Sequence, residues 1–104
     1  MSYATATPVT GSGAVSTPGD DYLFMGIVLA LTSTGNNDYV SVLVYDGTDN
    51  TGALVGAAEA WEESTDHHRV GVVNAAGGTA CTDGMYVEVA TESAATYKCT
   101  ILWR

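Results

Sequence analysis

The sequence has few charged residues, and very few of these are positive. Only 14% of its 104 residues are charged, and twelve acidic residues against three basic ones give a net charge of −9. The basic residues are Arg69, Lys98 and Arg104. A nucleic-acid-binding protein needs Lys and Arg to neutralise phosphates, and an anionic membrane surface makes the same demand. We therefore expect neither nucleic acid nor a membrane as a partner, and the acidity itself predicts repulsion between free copies.

Long apolar runs and cysteines are also scarce. The longest apolar run, Tyr22–Leu31, has ten residues, whereas a membrane-spanning helix needs about 20. No basic segment followed by an apolar one opens the chain, so no secretory signal is predicted. Cys81 and Cys99 are too few for a disulfide framework. Without export, two free thiols are favoured, and a single bridge between them is the alternative.

No pattern in the sequence predicts catalysis or a metal site. His67 and His68 are adjacent, so on a strand they point to opposite faces and cannot converge on one ion. The loop that contains Asp46, Asp49 and Asn50 lacks the ligand spacing of a calcium loop. A Gly-x-Ser-x-Gly turn and a glycine-rich phosphate loop leading into a helix are both absent. We therefore expect no enzymatic activity, no catalytic residue, no metal and no cofactor.

The abundant pattern is that of β-strands. Residues 27–46 and 84–104 each join two apolar or alternating runs through a short connection rich in Ser, Thr, Asn, Gly or Ala. This arrangement is typical of a β-hairpin. Tyr22–Leu31 is apolar on both strand faces, which predicts a central strand covered on each side. A short helix is the competing interpretation, and the β-rich neighbourhood favours the strand.

Further strands are predicted along the rest of the body. Tyr39–Tyr45 places its valines on one face, and residues 46–52 form a strong turn signal. Ala53–Trp61 fits a strand or a short helix, and Gly52 and Gly56 favour the strand. His68–Val72 predicts another strand and residues 74–84 a loop. In the last segment the predicted inward positions are Met85, Val87, Val89, Tyr97, Cys99, Ile101 and Trp103. The pattern predicts an all-β fold, a single antiparallel β-sandwich of jelly-roll-like topology over residues 20–104.

Residues 1–19 differ in composition from this body. They contain both prolines and no charged residue, and such a segment cannot bury enough apolar area to fold alone. We interpret it as an extended N-terminal arm, with a frayed terminus as the alternative. Uncharged extended segments suit strand addition to a neighbouring protein. The residues of the arm that we expect to contact a partner are Tyr3, Pro8, Val9, Val15 and Pro18.

The remaining surface is short of charge. Charged residues make up 14% of the chain, against about 25% in typical soluble domains. Small polar residues or partner subunits must therefore cover much of the surface. Aromatic residues fill β cores and subunit interfaces, which is the favoured interpretation here, and a carbohydrate-stacking platform is the alternative. These residues are Tyr39, Tyr45, Trp61, Tyr86 and Trp103.

About half of the chain resembles a family of small β-sandwich proteins encoded by tailed bacteriophages. The shared pattern has four stretches. They are a strand ending in Thr-Ser-Thr-Gly, a Val-rich strand ending in Tyr-Asp-Gly-Thr, a Gly-Leu-Tyr-Val-Glu-Val stretch, and a last strand ending in an aromatic residue and Arg. In this chain Met takes the place of Leu in the third stretch. These stretches are Leu31–Gly35, Val42–Thr48, Gly84–Val89 and Ile101–Arg104. The Trp61–Glu63 stretch and the two histidines lie outside the shared pattern.

The resemblance implies a structural component of a virion, located on the capsid surface and assembled in the host cytoplasm. Head decoration, or cement, proteins of this kind bind the major capsid protein, bridge capsid subunits and stabilise the shell, often as homotrimers. An extended terminal arm that reaches over neighbouring subunits suits this role, because many weak contacts act together on a repeated lattice. The alternative is a tail, fibre or adhesin-like module that binds host carbohydrate through surface aromatic residues.

Overall fold

Two antiparallel β-sheets make up the structure. The computed structural model describes residues 4–104, except the side chain of Ala76, and contains no helix in this range. Sheet A has the strand order β1-β9-β3-β7, and sheet B has the order β2-β8-β4-β5-β6. The strands are β1 (Thr5–Val9), β2 (Gly13–Val15), β3 (Tyr22–Leu31), β4 (Asp38–Asp46), β5 (Ala53–Glu62), β6 (His67–His68), β7 (Val70–Cys81), β8 (Met85–Glu92) and β9 (Tyr97–Trp103).

The core lies between the two sheets and follows the predicted alternation. In β4 the three valines are fully buried while the intervening residues are half-exposed. In β8 and β9 the predicted inward positions are buried near the centre of the core and half-buried at its margin. The largest fully buried side chains are Phe24, Ile27, Leu29, Val40, Val42, Val44, Met85, Val87 and Ile101. The prediction of an all-β fold is confirmed, and two sheets sharing one core are consistent with a β-sandwich.

The chain is a long hairpin folded back on itself. Its closed end is the turn over residues 47–52, where β4 pairs with β5. Away from this turn β3 pairs with β7, β2 with β8 and β1 with β9. Successive strand pairs of this long hairpin alternate between the two sheets, and residues far apart in sequence therefore lie together throughout the core.

The two predicted hairpins, residues 27–46 and 84–104, are wrong as pairings. The strands lie where the pattern places them, but β3 and β9 belong to sheet A while β4 and β8 belong to sheet B. The short connections carry the chain across the core instead of turning it within one sheet. The buried Asp38 carboxylate accepts a hydrogen bond from the Gly35 backbone N–H at 3.0 Å and stabilises the first of these crossings.

The boundaries of the central strands agree closely with the sequence. Strand β3 has the predicted bounds, and the alanine-rich β5 is a strand and not a helix. The predicted loop over residues 74–84 is wrong in part, since β7 continues to Cys81. The register of β7 against β3 jumps between Asn74 and Thr79. The intervening residues bulge outward at Gly77 and Gly78, both of which have positive φ, and the strand then resumes.

The segment predicted as an arm lies against its own body. Strand β1 pairs with β9 over five residues, and β2 pairs with β8 over three. The Ser12 hydroxyl accepts a hydrogen bond from the Val89 N–H at 2.8 Å. The Trp103 indole N–H donates to the Thr7 hydroxyl at 2.8 Å. Residues 5–15, here called the N-terminal clip, therefore form one edge strand on each sheet.

Arg69 forms hydrogen bonds to the connection between β3 and β4. Its Nη2 donates to the carbonyl oxygens of Leu31, at 3.0 Å, and Ser33, at 2.8 Å. Its Nη1 is 3.6 Å from a carboxylate oxygen of Glu62. One guanidinium thus connects the end of β3, the crossing and the end of β5.

Replacing Arg69 with methionine should lower the free energy of unfolding by about 2 kcal/mol. The variant loses two charge-assisted hydrogen bonds and leaves two carbonyl groups without their donor. Urea unfolding followed by tryptophan fluorescence measures the change. Lys98→Met is the matched control, because it removes the same charge from an exposed position of β9. Equal stability of the two variants would show that Arg69 contributes only its charge.

Candidate docking surface

The outer face of β3 is uncovered over half of the strand. The apolar run predicts a strand covered on both sides, and this prediction is wrong within the single chain. At one end the bulge of β7 covers the outer face, with Gly78 lying against Leu23 and Met25. At the other end Val28 is 41% exposed. A strand that is apolar on both faces therefore has its outer face open to solvent over part of its length.

The strands beside β3 extend this open surface. Residues opposed in a ladder share a face of the sheet, so one row across sheet A consists of Pro8, Thr100, Val28 and Val72. The next row consists of Lys98, Ala30 and Val70. Val70 and Val72 are 54% and 64% exposed. We call these seven residues, together with Ala6 and Leu102 of a third row, the apolar face.

The strands that form this face carry little charge. The four strands of sheet A contain no acidic residue, and their one charged side chain is that of Lys98. Six of the twelve acidic residues lie in strands of sheet B and six lie in loops. A monomeric surface seldom exposes a contiguous apolar patch without a function. The low charge of these strands makes this patch the candidate docking surface of the molecule.

The residues predicted to contact a partner lie in different environments. Tyr3 is outside the described residues. Pro8 is exposed and belongs to the apolar face, whereas Val9 is 8% exposed and belongs to the core. Val15 is half-buried against the core, and Pro18 is half-buried in the turn that follows β2. Their role in partner binding stays a prediction.

Sequence reasoning did not identify Val28, Val70 and Val72 as surface residues. The signal was present in the sequence, because the segments that form β3, β7 and β9 lack acidic residues in a chain of net charge −9. Their assembly into one face depends on pairing between distant strands, which local patterns do not encode.

The thiols have the properties of buried, unreactive groups. Cys81 and Cys99 are both free and buried, as the sequence favoured. Burial raises the pKa of the Cys99 thiol to about 11 and also raises the pKa of Cys81. Since the thiolate is the nucleophilic form, neither group is activated at neutral pH.

The other polar clusters form structural contacts. The two histidines point apart, since His67 contacts Glu62 while His68 stacks on Trp61. The Asp49 carboxylate accepts hydrogen bonds from the backbone N–H and hydroxyl of Thr51, so it stabilises its own turn. Within residues 4–104 no three His, Cys, Asp or Glu side chains are grouped so as to hold a metal ion.

The open sheet face is thus the most distinctive surface feature of the molecule. In residues 4–104 there is no helix with the length and apolar character needed to cross a membrane. No family model, curated protein or solved structure matches this chain.

Proposed function

We propose that this protein is a non-enzymatic virion structural protein that binds the outer surface of a capsid through the apolar face. One observation carries the proposal: the inner strand β3 has apolar residues on both sides, and the chain itself leaves the outer side open around Val28. The partner we propose is the major capsid protein, as the resemblance to bacteriophage decoration proteins implies.

The energetics favour a protein partner at this face. Fully burying a valine that starts fully exposed contributes about 1.5–3 kcal/mol. Val28, Val70 and Val72 are 41%, 54% and 64% exposed, so covering each of them would contribute roughly half of that amount. The face contains no acidic residue that would need desolvation. Lys98 lies beside the valines and would meet an acidic or carbonyl group of the partner.

The remaining features of the proposal concern assembly. Alternation of consecutive strands between the sheets supports a jelly-roll-like topology. Pro8 and Ala6 of β1 extend the apolar face, so the N-terminal segment would contribute to the same contact. We propose that the bound protein bridges neighbouring capsid subunits as a homotrimer. On the capsid surface, many copies would then stabilise the shell through repeated weak contacts.

Val72→Asp should lower the affinity for capsid shells that lack this protein by at least about tenfold. A factor of ten in affinity corresponds to about 1.4 kcal/mol, and burying the new carboxylate in the contact would cost more than that. Co-sedimentation of purified protein with such shells measures the affinity. Leu54→Asp is the matched control, since Leu54 is 55% exposed on sheet B and receives the same charge.

Several outcomes would reject the proposal. Absence of wild-type binding at saturating concentration would exclude capsid attachment. Equal binding by the two aspartate variants would exclude the apolar face as the contact. A carbohydrate ligand identified on a glycan array, lost in Trp61→Ala and retained in Val72→Asp, would support the alternative module that binds host carbohydrate.

A further inference from the structure

An aromatic and acidic cleft lies at one end of sheet B, on the opposite sheet from the apolar face. Strand pairing places Glu92, Tyr39, Trp61 and His68 in one row across β8, β4, β5 and β6. Glu59 lies beside this row on β5. A depression in the surface is lined by the first three residues of the row, by Glu59, and by Asn37, Asp38 and Glu63.

Hydrogen bonds and stacking hold the two rings in place. The Tyr39 hydroxyl donates to Glu59 Oε2 at 2.8 Å, and the Trp61 indole N–H donates to Asp66 Oδ2 at 3.0 Å. The His68 ring stacks on Trp61 with the ring centroids 4.5 Å apart. The bond to Glu59 raises the pKa of Tyr39. The rings and the Glu59 carboxylate are therefore positioned before any ligand arrives.

The cleft carries negative charge, and within residues 4–104 none of its carboxylates forms a salt bridge. Glu59, Glu63 and Glu92 all line it. Arg69, the basic residue nearest in sequence, pairs with Glu62 and with two backbone carbonyls. Within the described part of the chain, Lys98 and Arg104 belong to sheet A or follow its last strand. These carboxylates attract a cationic ligand and repel an anionic one.

We propose that this cleft binds an arginine side chain presented by an extended segment of a partner protein. A guanidinium group is planar and always charged, so it can stack on Tyr39 or Trp61 and donate hydrogen bonds to a carboxylate at the same time. Glu92 and Glu59 flank Tyr39 on its two sides and accept these bonds. The cleft and the apolar face lie on different sheets, and they approach each other at the edge where Val72 lines a depression with Glu59, Trp61 and His68.

A neutral carbohydrate is the competing ligand, since it too would stack on the rings. It would gain nothing from the negative charge of the cleft, which therefore favours the guanidinium. Ionic strength distinguishes the two ligands, because salt screens the attraction of an exposed cation and has little effect on a neutral sugar.

The test is an NMR titration of the full-length protein with the probe acetyl-Gly-Arg-Gly-amide. The Trp61 indole and Tyr39 amide signals should shift and saturate, and the affinity should fall as NaCl is raised from 50 to 500 mM. The same peptide with Gln in place of Arg should cause no saturable shift. Glu92→Gln should weaken binding by about threefold or more, consistent with the loss of one close ion pair at high effective dielectric.

Glu88→Gln is the matched control for Glu92→Gln. It removes the same charge from the same face of β8, four residues away and thus about 14 Å along the strand. Equal weakening by the two variants would show diffuse attraction and overturn the proposal. Saturable, salt-independent shifts with cellotriose or chitotriose, and none with the arginine peptide, would also overturn it. Two variants test whether the aromatic ring of Trp61 contributes to binding. Trp61→Phe should retain most of the binding because it keeps an aromatic ring, and Trp61→Ala should retain less.

Discussion

Replacing Phe24 with alanine should lower the free energy of unfolding by about 3–5 kcal/mol, as large-to-small changes at buried aromatic positions do. Phe24 is completely buried in β3, an inner strand of sheet A. Its ring packs across the core against β5 of sheet B. Since domains of this size are stable by only about 5–15 kcal/mol, this variant should be partly unfolded at moderate temperature.

The contact with Gly56 allows a sharper form of this test. A Cβ atom added at Gly56 would lie 2.5 Å from Phe24 Cζ and 3.3 Å from Ile27 Cδ1. Gly56→Ala alone should therefore cost about 1–3 kcal/mol through overpacking. Combined with Phe24→Leu, which removes the far end of the ring, the added methyl group should fit. The double variant should then be more stable than the sum of the two single changes predicts.

Urea unfolding of the four proteins in this cycle measures the coupling. Gly11→Ala is the control for the glycine substitution, because a Cβ atom there would meet no atom within 4 Å. Strict additivity of Phe24→Leu and Gly56→Ala would contradict the packing between sheets described above. A coupling of at least about 1 kcal/mol, the range seen for residues in contact, is the expected result.

The strands could be predicted from the sequence because the signal for a strand is local. Val40, Val42 and Val44 alternate with more polar residues, and all three are buried. Pairing was not predictable in the same way. The connections that follow Leu31 and Glu92 resemble hairpin turns in composition, yet each passes from one sheet to the other. A short polar connection specifies that the chain changes direction, and packing between the sheets decides which strands become neighbours.

The candidate docking surface was predictable only in part. The unusual apolarity of β3 on both faces was visible in the sequence, and it indicated a covered strand. Which side remains open depends on β7 and β9, whose residues Val72 and Thr100 lie beside Val28 only after distant strands have paired. The predicted contact residues of the N-terminal segment show the same dependence on strand pairing. Pro8 lies on this surface and Val9 faces the core, although the two are adjacent in sequence.

Deletion of residues 1–19 should strongly destabilise the protein. It removes both strands of the N-terminal clip, so that β9 and β8 become unpaired edges. The buried Val9 is lost, which alone contributes about 1.5–3 kcal/mol, and Trp103 loses its hydrogen-bond partner Thr7. Exposed edge strands also recruit other chains. We expect destabilisation by at least about 3 kcal/mol, together with elution as aggregates in size-exclusion chromatography.

A chain that lacks only residues 1–4 is the control, since it retains β1 and β2. A synthetic peptide of residues 5–19, added in trans, should restore the urea midpoint of the deletion variant, because strand addition reproduces the same ladders from outside the chain. Rescue would show that these edges accept a segment from another molecule, which is the property a contact arm on a lattice requires. If the deletion variant instead kept its urea midpoint and eluted as a monomer, the clip would contribute nothing to the stability of the body. Residues 5–15 of the intact protein would then be available for contacts with other molecules.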